Sequence, residues 1–293
     1  MPTYNALAAL PGGEPGPWGT PVPITYTQRD VLLYAIGIGS TDLRFVHEDH
    51  PQFAVFPTFP IRWGGKGVPV NPELIPDSSG PMDLDAERSL EILQFLPTEG
   101  TVSVKSRLLA AHPRGTGNAF VEFESLVSDP EGQVCARMIN GAFRRGVNAL
   151  GDIEAFVGSG TSASEKTMSP ERAPDVVQEM DIPGNQAMLY RLSGDYNPLH
   201  IAPDAARSGG FDAPILHGLC TYGFCGQLLL NALCKNEVVC FKKLRVRFSA
   251  PVFPGETLRV EAWNTTPGRA VFRASVGERV VISHAYFEYA THS

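Results

Sequence analysis

The sequence has no basic excess, no paired-cysteine motif, no long apolar run and no basic leader, and each absence removes a class of function. Lys and Arg number 24 against 31 Asp and Glu, a formal net charge of -7. The broad positive field that nucleic-acid binding draws on is therefore missing, and a polyanionic ligand must find a local basic cluster. The five cysteines, Cys135, Cys220, Cys225, Cys234 and Cys240, are odd in number and never spaced Cys-x-x-Cys, which argues against a disulfide framework and a zinc site. No stretch approaches the roughly 18 apolar residues of a membrane-spanning helix. The first 28 residues hold no Lys or Arg and are broken by Pro11, Pro15, Pro17, Pro21 and Pro23, a pattern of neither a secretory signal nor a transit peptide. The expected setting is reducing and soluble, with neither nucleic acid nor membrane as partner. Thr291-His292-Ser293 does not match the Ser-Lys-Leu peroxisomal address.

What is present is a globular chain of 293 residues, 43% hydrophobic, long enough for about two domains. Residues 1–23 read as an arm packed on the body. Thr27 and Asp30 offer capping chemistry ahead of Val31, Leu32, Tyr34, Ala35 and Ile38, predicting a helix that Gly37 and Gly39 end. From Pro57 to Pro81, ten of 25 residues are Gly or Pro, so a continuous helix is excluded and an ordered overhang is expected. Residues 101–145 alternate as strands, with turns at Gly115-Thr116-Gly117 and Asp129-Pro130-Glu131-Gly132, predicting an antiparallel meander. Residues 151–175 mix Ser, Gly, Ala and Pro with charge and read as a linker burying little. Helices are expected at 186–192, 202–208 and 216–233, and strands from Lys242 to Tyr289.

The chain repeats itself. Leu33-Tyr34-Ala35-Ile36 lies 156 residues before Leu189-Tyr190-Arg191-Leu192, and each half runs helix first and strands after. This favours a duplicated α+β unit, divided as 1–150 and 176–293 about the 151–175 linker. In this register Gly39 faces Asp195 and Arg44 faces His200. Only the second half keeps groups capable of proton chemistry, which predicts one reactive centre per chain.

Those groups fall in Tyr190-Arg191-Leu192-Ser193-Gly194-Asp195-Tyr196-Asn197-Pro198-Leu199-His200. Gly194 and Pro198 interrupt helix on both sides of Asp195, so a turn presents the carboxylate, the Asn197 amide and the His200 imidazole. An aspartate and a histidine converging on one water could share its activation. The alternative is that Asp195 and Asn197 cap the next helix while His200 is a core residue. Further on, Pro214-Ile215-Leu216-His217-Gly218-Leu219 precedes an apolar helix whose first amides lack internal partners. There the Gly218 N–H could bind a thioester oxygen as it becomes enolate-like. His217 itself reads as a structural hydrogen bonder.

The strings Ser193-Gly194-Asp195-Tyr196-Asn197-Pro198-Leu199-His200-Ile201 and Gly210-Phe211 through Pro214-Ile215-Leu216-His217-Gly218-Leu219 resemble the hydratase 2 signature of MaoC-like proteins. The resemblance runs from about Tyr26 to Tyr289, taking in Pro57-Thr58-Phe59 and Phe248 through Pro254-Gly255. It is closest to the (R)-specific 2-enoyl-CoA hydratase 2 units of peroxisomal multifunctional enzymes. It implies a double hot-dog fold of two fused units, each with an antiparallel sheet wrapping a helix, the first unit degenerate and holding the acyl chain. It further implies catalysis by Asp195 and His200 with Asn197 in support, an oxyanion donor at Gly218 and substrate contact at Phe248. The substrate is an acyl-CoA thioester, no metal or further cofactor is required, and a homodimer of such chains is one assembly it allows. Its setting would be peroxisomal in a eukaryote and cytoplasmic otherwise. Asp85-Ala86 stands where the animal proteins have His-Gly, and Arg114 aligns with a lysine near CoA.

Lys243, Arg245 and Arg247 share one strand face and either meet CoA phosphates or are merely solvated. Cys220 is expected to be inert packing. Without a secretory signal, the sequon at Asn264 carries no meaning. Phe53, Phe56, Phe59 and Trp63 suggest an apolar tunnel for a medium or long acyl chain. Competing readings are an acyl-carrier dehydratase, a thioesterase, and a non-catalytic acyl-CoA-binding protein; the last would not require the Asp195, Asn197 and His200 trio.

Overall fold

The computed structural model describes residues 16–68, 83–113, 118–145, 156–157 and 166–291. Its centre is the antiparallel pairing of two strands from opposite halves of the chain, β2 (Asp83–Ile92) and β8 (Phe241–Phe248). Glu87, Ser89 and Glu91 stand opposite Arg247, Arg245 and Lys243, so an acidic strand face meets a basic one across the seam. On the first-half side lie β5 (Val134–Arg145), β4 (Asn118–Ser128), β3 (Gly100–Pro113) and β1 (Val22–Tyr26). On the other side lie β11 (Arg279–Tyr289), β10 (Arg269–Val276), β9 (Thr257–Thr266) and β7 (Val176–Asp181). The two sequences of neighbours correspond strand for strand, giving one continuous antiparallel sheet with the same order on each side of the seam.

The helices repeat as well, until they diverge at one place. Helix α1 (Gln28–Gly37) starts in a capping box: Asp30 Oδ2 accepts from Thr27 N (2.9 Å), and Thr27 Oγ1 accepts from Asp30 N (3.4 Å). It is followed by α2 (Leu43–Val46). The counterparts are α3 (Gln186–Tyr190), with a 3₁₀ turn at Arg191–Ser193, and a second 3₁₀ turn at Pro198–His200. After the short α4 (Pro203–Ser208), the second half has α5 (Gly218–Cys234), packed against β7, β8, β9 and β11. At the corresponding place the described residues of the first half form a 3₁₀ helix, Phe59–Trp63. Prolines 57 and 60 and the glycines from 64 onward deny it more. None of the described helices is long and apolar enough to cross a membrane.

Several expectations change. Residues 57–63 of the overhang are packed into the core, and the expected tunnel-lining rings contact one another instead. Phe56, Phe59 and Trp63 are buried, and Phe59 contacts Tyr26, Tyr34 and Trp63 at centroid distances of 5.4, 5.5 and 5.2 Å. Phe53 packs against the same core, and the cavity beside Phe56 and Pro60 measures about 10 Å³. Burying these rings against one another stabilises the core of the first half. Residues 69–81 and the turn at Gly115–Gly117 lie outside the described residues. The stretch expected as a linker is partly structural, since Phe156–Val157 pairs as strand β6 with β3. Strand β1 lies at the end of the supposed arm, and β2, too charged to read as a strand, is the seam itself.

Arg245 is not a CoA ligand. Its side chain is 2% exposed, Nη2 donates to Glu87 Oε2 at 3.1 Å across the seam, and Nη1 donates to the carbonyl of His284. His284 sits at φ 47 within an irregularity of the β11–β8 register. Removing one partner of a buried pair strands the other charge, at a cost of about 3–5 kcal/mol. Glu87→Ala should therefore lower unfolding stability by about that much in denaturant titration. A loss below about 1 kcal/mol would show that the other partners of Arg245, the His284 carbonyl among them, satisfy it without Glu87.

Candidate active site

The reactive cluster is built by a chain reversal after α3. Gly194 ends the 3₁₀ turn at φ 114, a left-handed conformation that a side chain would disfavour. Asp195 Oδ1 then accepts from the Asn197 amide at 3.2 Å, and Asn197 Oδ1 accepts from the Leu199 amide at 3.0 Å, capping the turn that carries His200. Asn197 thus does cap, as one sequence reading allowed, and in doing so it sets the spacing between Asp195 and His200.

His200 is 8% exposed and its Nδ1 lies 2.9 Å from the carbonyl of Ile215. A carbonyl only accepts, so Nδ1 carries the proton and neutral His200 has its lone pair on Nε2. Burial pulls the ring below the ordinary histidine pKa; the Ile215 contact and Asp195 oppose that shift. His217, 1% exposed, stacks on His200 at 3.7 Å and 28°. Its Nε2 lies 3.2 Å from the backbone carbonyl of Asp195. Burial, reinforced by His200, brings its pKa down to about 4. Ligand atoms of Asp195, His200 and His217 lie within 4.8 Å of one another. Metals bond in the plane of an imidazole, however, and two nearly parallel stacked rings do not direct lone pairs at one ion. The trio fits proton transfer better than metal binding.

The cluster opens into a cavity of about 520 Å³ with walls from both halves. Leu84, Asp85 and Arg88 come from β2; Asp195, Asn197 and His200 from the turn; Gly218, Leu219 and Thr221 from α5; and Phe248 from the end of β8. Gly218 is the first residue of α5, so its amide has no acceptor within the helix. A Cβ there would come within 3.3 Å of the Phe248 ring, so glycine keeps the helix start open beside the cavity. An adjoining cavity, also about 520 Å³, shares Leu84, Asp85 and Phe248 and adds Phe120, Phe143, Lys166 and Arg247.

Asp195, Asn197, His200, Gly218 and Phe248 therefore converge, and Arg247 stands one cavity away. Lys243 lies elsewhere, 5.6 Å from the Tyr286 ring centroid, and Arg114 is outside the described residues. Sequence reasoning marked Asp85 as a departure from the family pattern but missed the rest of the wall from β2, Leu84 and Arg88, the latter paired with Asp85 at 2.9 Å. It also underrated His217, although the adjacency of His217 to Gly218 was a usable signal. In the first half, Arg44 is paired with Asp42 at 2.6 Å and donates to the carbonyl of Asn236. Gly39 and Asp42 border a separate cavity of about 360 Å³ without an acid–imidazole pair.

Two family matches divide the chain: the MFE-2 hydratase 2 N-terminal domain over residues 24–146 and the MaoC like domain over residues 165–286. The chain is 36% identical over 304 residues to mouse peroxisomal multifunctional enzyme type 2, covering 98% of this chain and 40% of that protein. It is 33% identical over 270 residues to Arabidopsis thaliana peroxisomal enoyl-CoA hydratase 2, covering 87% of each. Among solved structures, a MaoC-like dehydratase from Phytophthora capsici superposes with a TM-score of 0.83 at 36% identity, over 96% of this chain and 97% of that one. A Mycobacterium tuberculosis protein with a double hot-dog fold, 12% identical, superposes at a TM-score of 0.57 and supports the fold alone. The fold and site define a double hot-dog protein of the MaoC-like class. Within that class, the chain belongs to the hydratase 2 family.

All five cysteines are buried thiols. Burial pushes the Cys220 thiol well above its ordinary pKa, and its Sγ donates to the Gly37 carbonyl at 3.2 Å. Ellman's reagent should release its chromophore only on denaturation. A fast-reacting thiol in the native protein would contradict this assignment.

Proposed function

We infer that this chain is an (R)-specific enoyl-CoA hydratase 2, adding water reversibly across trans-2-enoyl-CoA to give (3R)-3-hydroxyacyl-CoA in fatty-acid β-oxidation. The observation that carries the reading is one cavity holding an acidic group, a buried imidazole with a bare Nε2 and a helix-start amide that has no acceptor within its own helix. Water oriented by Asp195 loses a proton to the Asp195–His200 pair as its oxygen bonds C3. Electron density moves to the thioester oxygen, which the Gly218 N–H stabilises, and the proton returns to C2. Electrons and atoms balance without an oxidant, a reductant or a metal. Asn197 serves by fixing the turn, and Phe248 borders the thioester. Lys166 and Arg247, beside the aromatic rings of the adjoining cavity, suit the CoA phosphates.

A medium or long acyl chain is the preferred substrate in this reading. Its support is the apolar wall formed by Leu199, Phe211, Ile215, Leu219 and Val252, where each buried CH₂ contributes about 0.8 kcal/mol. In a eukaryote the site of action would be the peroxisome, otherwise the cytoplasm. The specificity constant should rise from crotonyl-CoA to trans-2-decenoyl-CoA, and a preference for the four-carbon substrate would refute the chain-length reading.

Asp195→Asn and His200→Ala should each lose about 10²- to 10⁴-fold in kcat while remaining folded by circular dichroism. Near-normal turnover by either would overturn the assignment. A base whose pKa is lowered stays unprotonated to lower pH, so the acid limb of kcat/KM should fall below the ordinary histidine value of about 6.5. A limb above that value would count against His200 as acceptor.

A further inference from the structure

His217 touches each part of the site without itself lining the main cavity. Its ring stacks on His200, its Nε2 reaches the carbonyl of Asp195, and the next residue supplies the Gly218 amide. Thr221 Oγ1 and the Cys220 and Thr221 amides converge on its own carbonyl, fixing it to the first turn of α5. Because the Asp195 carbonyl can only accept, His217 Nε2 must carry the proton, and Nδ1 is then a bare acceptor. That Nδ1 is buried, with no partner among the described residues. A histidine kept only for stability would normally have both nitrogens satisfied, since a buried orphan acceptor costs roughly 1–3 kcal/mol.

We propose that His217 is a positioning residue for the hydration reaction: a neutral imidazole whose Nε2–H clamps the Asp195 backbone and whose face orients His200 so that its bare Nε2 meets the water. The inference rests on the hydratase reading for its kinetic effect but not for its tautomer. Neutrality matters because a cation 3.7 Å from His200 would repel the proton that His200 has to accept. The groups facing His217 are His200, Asp195, Arg191 and Tyr190. Burial outweighs the attraction of Asp195, and the ring is brought down to about 4, leaving it uncharged at neutral pH. Asparagine or glutamine could supply the clamp, and phenylalanine the flat face. Imidazole supplies both in the space between Tyr190 and His200.

The test has two arms on the full chain. In the wild-type protein labelled with ¹⁵N-histidine, long-range ¹H–¹⁵N spectra should show His217 as the Nε2–H tautomer and His200 as the Nδ1–H tautomer, with His217 not titrating between roughly pH 6 and 8. An Nδ1–H tautomer, or protonation of His217 in that range, would overturn the proposal whether or not the chain hydrates crotonyl-CoA. In the second arm, His217→Phe, which keeps the face and loses the clamp, should lower kcat for crotonyl-CoA by on the order of 10²-fold, with KM within about threefold. His217→Gln, which restores an N–H donor, should recover part of that loss. A folded His217→Phe with wild-type kcat would overturn the proposal, and if neither variant folds, the wild-type spectrum decides alone. Wild type without hydratase activity but with the expected tautomers would overturn the functional reading and leave the geometry standing.

Discussion

The pairing of β2 with β8 is the constraint on which the rest of the molecule depends. It turns two five-strand arrangements into one sheet, and its register sets Glu87 where Arg245 is buried. Low dielectric makes that pair unforgiving of slippage, because a one-residue shift would move every charge on the strand to the opposite face. The same pairing brings Leu84, Asp85 and Arg88 of β2 into one cavity wall with Phe248 of β8, so two distant segments joined edge to edge build the cavity.

The asymmetry of the halves follows from their central helices. In the second half α5 has 17 residues, and its first amide has no acceptor within the helix. In the first, the described residues at the equivalent place form a 3₁₀ helix, Phe59–Trp63, whose aromatic rings pack into the core. Arg44, paired with Asp42, stands where the other half has its imidazole. The acid–imidazole cluster thus lies in one half, and the other contributes a wall to its cavity.

Much of this was legible in residue order. The capped α1, the 129–132 turn, the long apolar helix and the cluster from Asp195 to His200 all rest on local patterns, which short-range physics fixes. The unread parts depend on distant partners. Strand β2 is too polar to announce itself, because its acidic face is meaningful only against Lys243, Arg245 and Arg247. For the same reason Arg245 looked available to a phosphate and is instead committed to Glu87. Phe56, Phe59 and Trp63 could line a tunnel or fill a core, and only their contacts with Tyr26 and Tyr34 decide for the core. The role of His217 likewise required knowing which ring lies against it.

The central claim is that a single acid–imidazole centre at the seam hydrates an enoyl thioester from one face. The most direct measurement is chiral analysis of the product formed from trans-2-decenoyl-CoA by the purified chain, with free thiol monitored in parallel. The account predicts (3R)-3-hydroxydecanoyl-CoA with no release of CoA. The (3S) epimer, or hydrolysis to free CoA without a hydroxyacyl product, would contradict it.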